Sequence, residues 1–259
     1  MTRRSFLPAA VGTAALGAQT ITPGSRAAIE ITYYRLRNKP DNQRQRLIEF
    51  LERNYVPQIR RAGAGPIGVF GSSIGPDGPF LMLVTQHASL AAFEQERDKL
   101  MSNEEYVKAL DAFNAQMPVP YERAERMLLR AFAGMPQIEV PPTGANRPAR
   151  VFEVRMYESN NLSTLRRKVD MFNKGEIAIF KKLGMQPVFF GEMVVGPKLP
   201  NLVYMLSYDD LAARDKAWRA FGANPDWKKM RETPGWADAE IVSNITNFIV
   251  SPLPFSDIR

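Results

Sequence analysis

Val151-Phe152-Glu153-Val154-Arg155-Met156-Tyr157 alternates apolar and polar residues with a period of two, the pattern of a half-buried β-strand. Phe152, Val154 and Met156 make up the apolar set and are expected to face a layer of helices, with Glu153, Arg155 and Tyr157 turned the other way. The stretch has a counterpart upstream. Tyr33-Tyr34-Arg35-Leu36 matches Glu153-Val154-Arg155-Met156 at an offset of 120, and Gly68-Val69-Phe70-Gly71 matches Val188-Phe189-Phe190-Gly191 at the same offset. After one inserted residue the offset becomes 121: Gly75-Pro76 meets Gly196-Pro197, Leu90-Ala91-Ala92 meets Leu211-Ala212-Ala213, and Asn103-x-x-Tyr106 meets Asn224-x-x-Trp227. Matches in one order with a single slip mark an internal repeat.

Each copy reads strand, helix, strand, strand, helix, strand. In the second, the strand from Val151 is followed by helical spacing over 162–183, strands over 186–195 and 202–207, a helix over 211–221 and a last strand over 239–250. Asn224-Pro225 has the form of an N-cap with proline at the first helical position. Between the copies, residues 134–148 hold four prolines and two glycines, a linker of partly polyproline character. The organisation expected is a removable leader over 1–27, a first unit over 28–132, a linker over 133–149 and a second unit over 150–259. The fold class is α+β: two tandem ferredoxin-like βαββαβ units. Each such unit leaves one sheet face open. Two in one chain are expected to turn those faces together into an α+β barrel with a polar-lined cavity.

The composition, 45% apolar and 24% charged over 259 residues, is that of a globular protein. No cysteine is present, which excludes disulfides, thiol catalysis and Cys-ligated metals, and a single histidine, His87, excludes a His-rich metal site. The opening Thr2-Arg3-Arg4-Ser5-Phe6-Leu7 and the Ala- and Gly-rich stretch behind it resemble a twin-arginine signal for export of folded bacterial proteins to the periplasm or beyond. Cleavage is placed after Ala18 or Ala27, with Ser25-Arg26-Ala27 the better small-x-small site. Removing 1–27 takes the net charge from +7 to +4 and leaves no membrane span. Arg60-Arg61 and Arg166-Arg167-Lys168 read as solvated helix faces, so no nucleic-acid partner is expected. The strands at 81–86 and 202–207 also lack the aromatic signature of RNA-recognition modules.

Three local patterns invite a catalytic reading. Gly63-x-Gly65-x-x-Gly68 has the letters of a dinucleotide loop, but it closes a helix and opens a strand, the reverse of the required order. Gly71-x-Ser73-x-Gly75 has those of a nucleophile elbow, but Pro76 and Pro79 forbid the helix that must follow. His87 ends a strand, and the plainer reading is a hydrogen-bonded residue; a general base or haem ligand is the sharper one, so no cofactor is predicted beyond that haem alternative. Arg35 and Arg155, repeated on the face away from the helices, are suited to hold a carboxylate or enolate; the competing reading for Arg155 is an internal ion pair with Glu153 or Glu192.

The second copy resembles the NIPSNAP family of the dimeric α+β barrel superfamily. The strand 151–157, Phe190-Gly191 followed by Gly196-Pro197, Tyr204-Met205-Leu206-Ser207-Tyr208-Asp209-Asp210-Leu211, and Asn224-Pro225-Asp226-Trp227 are similar to its segments. The first copy departs: Tyr33-Tyr34-Arg35 lacks the family glutamate two before the arginine, and His87 stands where Tyr208 stands in the second. The resemblance implies the barrel fold and no agreed catalytic set, with cofactor-free monooxygenases and haem enzymes among wider relatives. The function expected is binding of a small apolar or acidic molecule inside the barrel by Tyr33, Arg35, Arg155 and Tyr157, with His87 and Tyr208 near the ends. Cofactor-independent oxidation or isomerisation is the enzymatic version. A non-catalytic interaction module of the cell envelope is the alternative, and a homo-oligomer is compatible with either.

Overall fold

The computed structural model of the chain describes residues 24–39, 41–142 and 149–259, so the expected export signal through residue 23 and the middle of the linker lie outside the described residues. The first half runs β1 (Ala28–Arg35), α1 (Gln43–Phe50), a π-helical turn (Leu51–Tyr55), α2 (Val56–Ala62), β2 (Ile67–Ile74), β3 (Phe80–His87), α3 (Leu90–Met101), α4 (Glu104–Asn114) and β4 (Arg123–Ala131). The second runs β5 (Val151–Glu158), α5 (Leu162–Met171), a π-helical turn (Phe172–Glu176), α6 (Ile177–Lys182), β6 (Gln186–Val195), β7 (Asn201–Tyr208), α7 (Leu211–Ala223), α8 (Pro225–Arg231), a short α9 (Asp238–Ile241) and β8 (Asn244–Pro252). The helix expected over 162–183 is thus divided by a π turn, at the place its first-half counterpart is. The last strand starts later than expected because α9 occupies its first residues.

Every strand pair is antiparallel, in the order β4-β1-β3-β2 in one half and β8-β5-β7-β6 in the other. The seams β2–β8 and β4–β6 close them into one eight-stranded barrel with no free edge to recruit another chain. Helix starts follow local chemistry: Ser89, Asn103, Asp210 and Asn224 each cap their helix through a side-chain oxygen, and Asn161 forms a capping box with Thr164.

The core has three parts. The barrel interior is one apolar cluster, with Phe70, Phe152, Phe189, Met82 and Met205 all at 0% exposure and the Phe70 and Phe152 rings 5.1 Å apart. Tyr33, Phe80 and Phe248 pack edge to face near one end. At the other, Ile138 from the linker and Ile258 from the C-terminal tail join the cluster. The linker is anchored there by Ile138 N–H to Gln86 Oε1 at 2.7 Å and Glu139 N–H to the Val188 carbonyl at 2.9 Å. Two further clusters fill the sheet–helix layers, one per half.

The faces of β5 are opposite to the expectation. Phe152, Val154 and Met156 point into the barrel, while Tyr157 packs among helix residues and Glu153 and Arg155 share its side. The barrel interior is itself apolar and takes the apolar set, and the two halves also correspond in another register than their letters suggest. Ala28 pairs with His87 and Val151 with Tyr208, so β1 and β5 correspond at 123 residues rather than 120, because the connection after β1 is longer than the one after β5. A shift of three is odd, and an odd shift exchanges the two faces of a strand. The glutamate missing from the first half is therefore present: Glu30 corresponds to Glu153, and Thr32, not Arg35, to Arg155.

Candidate functional site

Between the second sheet and its helices lies a buried polar network centred on Glu153, which is 0% exposed. Its Oε1 accepts from Arg155 Nη1 at 2.8 Å and Arg214 Nη2 at 2.6 Å, and its Oε2 accepts from Trp218 Nε1 at 2.7 Å. Asn247 Nδ2 adds a bond at 3.3 Å from β8. Burial alone would raise the carboxyl's pKa, but the Arg214 hydrogen bond, the Arg155 charge and the Trp218 donor outweigh it, and the net shift is downward. The chain of contacts continues from Arg155 Nε to the Tyr157 hydroxyl at 3.3 Å, which accepts from the Tyr204 hydroxyl at 2.8 Å. The Arg155 guanidinium also stacks 4.5 Å from the Trp218 ring centre. Arg155 is thus engaged by Glu153, the ion-pair reading of its role.

Lys168 is 0% exposed and not part of a solvated face, which corrects the reading of Arg166-Arg167-Lys168. Its ammonium donates to Glu176 at 3.1 Å and Asp238 at 3.0 Å and lies over the rings of Phe172, Trp227 and Tyr157. Burial works against its charge, and Glu176 and Asp238 reverse that, leaving its pKa raised.

The first half has the same centre with other partners. Glu30, 2% exposed, lies 3.3 Å from His87 Nε2 and 2.5 Å from Arg126, with Arg97 at 3.6 Å. The other ring nitrogen of His87 is 2.5 Å from Glu96 Oε2. Burial alone would lower the imidazole pKa, but hydrogen bonds to Glu30 and Glu96 reverse this and hold it raised. With both ring nitrogens bonded to carboxylates and the ring at 0% exposure, the one histidine has no nitrogen facing a haem iron. Ser73 bonds Ser251 at 2.8 Å beside the β2–β3 turn, while His87 is at the far end of that hairpin, so the two do not form a catalytic pair.

The six residues expected to bind a ligand are not one site. Tyr33 belongs to the barrel interior, and Arg35 sits at that end, 2.7 Å from Glu125 and stacked on Tyr33 and Phe80. Arg155 and Tyr157 lie on the outer side of the barrel wall, under the second half's helices. His87 and Tyr208 occupy corresponding strand ends of the two halves, also on the helix side. The residues missed are Glu30, Glu96, Arg214 and Trp218. The signal for the first was a glutamate inside the apolar alternation Ile29-Glu30-Ile31, matching Phe152-Glu153-Val154.

Beside Tyr208 is a hollow of about 240 Å³ lined by Leu183, Gly184, Gln186, Ala213, Lys216 and Ala217 among others, with Arg150 and Asp209 also on its wall. Two polar atoms of its wall residues, the Tyr208 hydroxyl and Gln186 Oε1, are buried without a partner in good hydrogen-bond geometry, the hydroxyl lying beside the Glu153 carboxylate. Tyr208 is 5% exposed, and burial, followed by the charge of Glu153, keeps its phenol protonated.

Residues 152–257 match the NIPSNAP family model. Among solved structures, a candidate monooxygenase from Lactobacillus acidophilus is 12% identical and aligns over 88% of this chain and 94% of its own at a TM-score of 0.56. An anthrone oxidase-like protein is 12% identical over 90% and 94%, at 0.51. An uncharacterized NIPSNAP-like domain protein from Burkholderia xenovorans is 21% identical over 41% of this chain and 88% of its own, at 0.37. No curated protein matches the sequence. The first two likenesses, spanning both halves, are likenesses of fold. With the strand order and the matched segment together, the second half of this chain, residues 152–257, is a NIPSNAP-family domain.

Proposed function

We propose that this NIPSNAP-domain protein binds a small molecule in the hollow beside Tyr208, outside the barrel wall rather than inside the barrel. The observation that carries the reading is the pair of buried polar atoms there without a partner in good hydrogen-bond geometry, the Tyr208 hydroxyl and Gln186 Oε1. A buried polar group without a partner costs about 1–3 kcal/mol, and a ligand that satisfies both removes that cost. Among the described residues, the barrel interior is lined by apolar side chains packed in one cluster. Two fold relatives carry names that speak of oxygenation or oxidation. At 12% identity they bring no chemistry to this chain, and Arg155, already engaged by Glu153, Tyr157 and the Trp218 ring, is not placed to steady a developing charge on a substrate. Binding is therefore the function proposed.

Export by the twin-arginine route is part of the same proposal, supported by Arg3-Arg4 in their sequence setting. Processing is placed upstream of Ala27. That residue is 0% exposed, its N–H bonds the Pro136 carbonyl and its carbonyl accepts from Ala131. A cut after it would put a charged amine on Ala28, which is 2% exposed.

Native mass spectrometry of the protein purified from its own host tests the binding reading. A co-purifying mass that is lost in Ala217→Trp, which fills the hollow, and kept in Phe152→Leu, which alters the barrel interior, is the expected result. A mass lost with the barrel variant and kept in Ala217→Trp overturns it.

A further inference from the structure

The two halves also differ in what crosses from the second helix layer to the sheet. Helices α3 and α7 start alike: Ser89 and Asp210 cap them by accepting from Ala92 and Ala213 N–H, so their residues correspond at 121. Glu96 therefore corresponds to Ala217, His87 to Tyr208, and Gly63 to Gly184, where the preceding helices end with a positive φ of 126° and 74°. In the first half the Glu96 carboxylate crosses from helix to sheet. Its Oε2 meets His87 Nδ1 at 2.5 Å, and its Oε1 lies 3.3 Å from the point a Cβ on Gly63 would occupy. In the second half the side chain stops at the β-carbon of Ala217, and nothing lies within 4 Å of the corresponding point on Gly184. The hollow is the space that Glu96 fills in the other half.

We infer that the hollow is a carboxylate-binding site, in which a small acid takes the place that Glu96 holds in the first half and accepts its hydrogen bond from the Tyr208 hydroxyl as Glu96 does from His87. The inference rests on the binding reading above and names the class of ligand. Tyr208 supplies one donor from the wall, on a side chain held 95% out of solvent whose hydroxyl also neighbours the Glu153 carboxylate. The Gln186 side chain supplies another from its amide nitrogen on rotation of the amide, the orientation of which follows its partner. Lys216 on the wall adds positive charge. Two carboxylates stand near. Glu153 is already met by Arg155, Arg214, Trp218 and Asn247, so an incoming acid does not face a bare anion. Asp209 is 63% exposed and lies 3.9 Å from Arg150. The remaining wall, from Leu183, Ala213, Ala217 and Ala220, is apolar and takes a short hydrocarbon or aromatic body. A volume of about 240 Å³ is about eight times the share of one water in the liquid, enough for an acid of benzoate size.

The test is calorimetric titration of the full chain with benzoate and butanoate against benzamide and butanamide. The carboxylates are expected to bind at least tenfold more tightly than the amides, to weaken about tenfold in Tyr208→Phe, and to lose binding in Ala217→Glu, which restores the first-half arrangement. Ala217→Leu blocks the hollow without adding a buried charge and is expected to act alike, so misfolding of one variant does not decide the matter. Glu96→Ala is expected to open a second site beside His87 and to take the stoichiometry from one carboxylate per chain to two. Amides that bind as well as acids, with both blocked by Ala217→Leu, overturn the ligand class and leave the hollow as the site. Carboxylate binding untouched by Ala217→Glu and Ala217→Leu overturns the class and the site together. Failure of every probe while the co-purified mass still depends on residue 217 overturns the carboxylate inference alone.

Discussion

Glu153 and Glu30 show how much of each half is organised by one buried carboxylate. Removing one partner of a buried ion pair leaves the others uncompensated, at a cost of about 3–5 kcal/mol. Glu153→Ala, which strands Arg155 and the Trp218 donor, is expected to lower unfolding free energy by that order in urea denaturation. A loss under 1 kcal/mol would mean the network is hydrated. His87 gives the first half a pH response. Its folded pKa stands above its ordinary 6.5, so its stabilisation is full below about 6.5 and fades as pH rises through the raised value. Glu30, held below its ordinary 4.5 by His87 and the Arg126 and Arg97 charges despite its burial, acts at the other end: its contribution is present above 4.5 and lost as pH falls through the depressed value. Unfolding free energy measured from about pH 5 to 9 is expected to decline on the alkaline side in the parent, and less steeply in His87→Gln. Equal slopes in the two proteins would remove His87 from the account. From the sequence Glu153 stood out only as a partner for Arg155 and Glu30 not at all, because an acidic residue inside an apolar alternation resembles an outward-facing one until its partners, distant in sequence, are known.

At the scale of elements, the repeat, the order of strands and helices, and the cap at Asn224 were legible from local pattern alone. The facing of β5 was not. Tyr33-Tyr34-Arg35 and Glu153-Val154-Arg155 align at 120 on their arginines, whereas hydrogen-bonded pairing sets 123, and no local signal marks the longer connection after β1. Alternation gives the period of a strand; which face turns inward is decided by the neighbours it pairs with. In a barrel whose two faces are both covered, apolar residues occur on each and the usual asymmetry is weak. β1 carries its own consequence, because Ala27 is buried at its start and bonded to Pro136 and Ala131. Intact-mass analysis of the exported protein is expected to show a mature chain starting upstream of Ala27. A start at Ala28 would show that the strand tolerates a charged amine there.

As a whole, the molecule separates its apolar support from its buried polar networks. The barrel wall and its apolar filling hold the halves together, and the polar chemistry lies outside the wall, beneath the helices. Phe152→Ala at the centre is expected to cost about 3–5 kcal/mol of stability while leaving ligand affinity within twofold, read by denaturation and titration on one preparation. The sequence suggested a cavity inside because two ferredoxin-like units present open faces; those faces carry Phe, Met, Val and Ile and fill the space between them. What distinguishes the second half is an alanine at 217 where the first has a glutamate at 96, a difference with meaning only once the helices are placed over the strands. A crystal structure of the protein purified from its own host locates the ligand directly. The account predicts density beside Tyr208, within hydrogen-bonding distance of its hydroxyl, and none between Phe70 and Phe152. Ligand density inside the barrel, with the Tyr208 hollow holding only water, would contradict it.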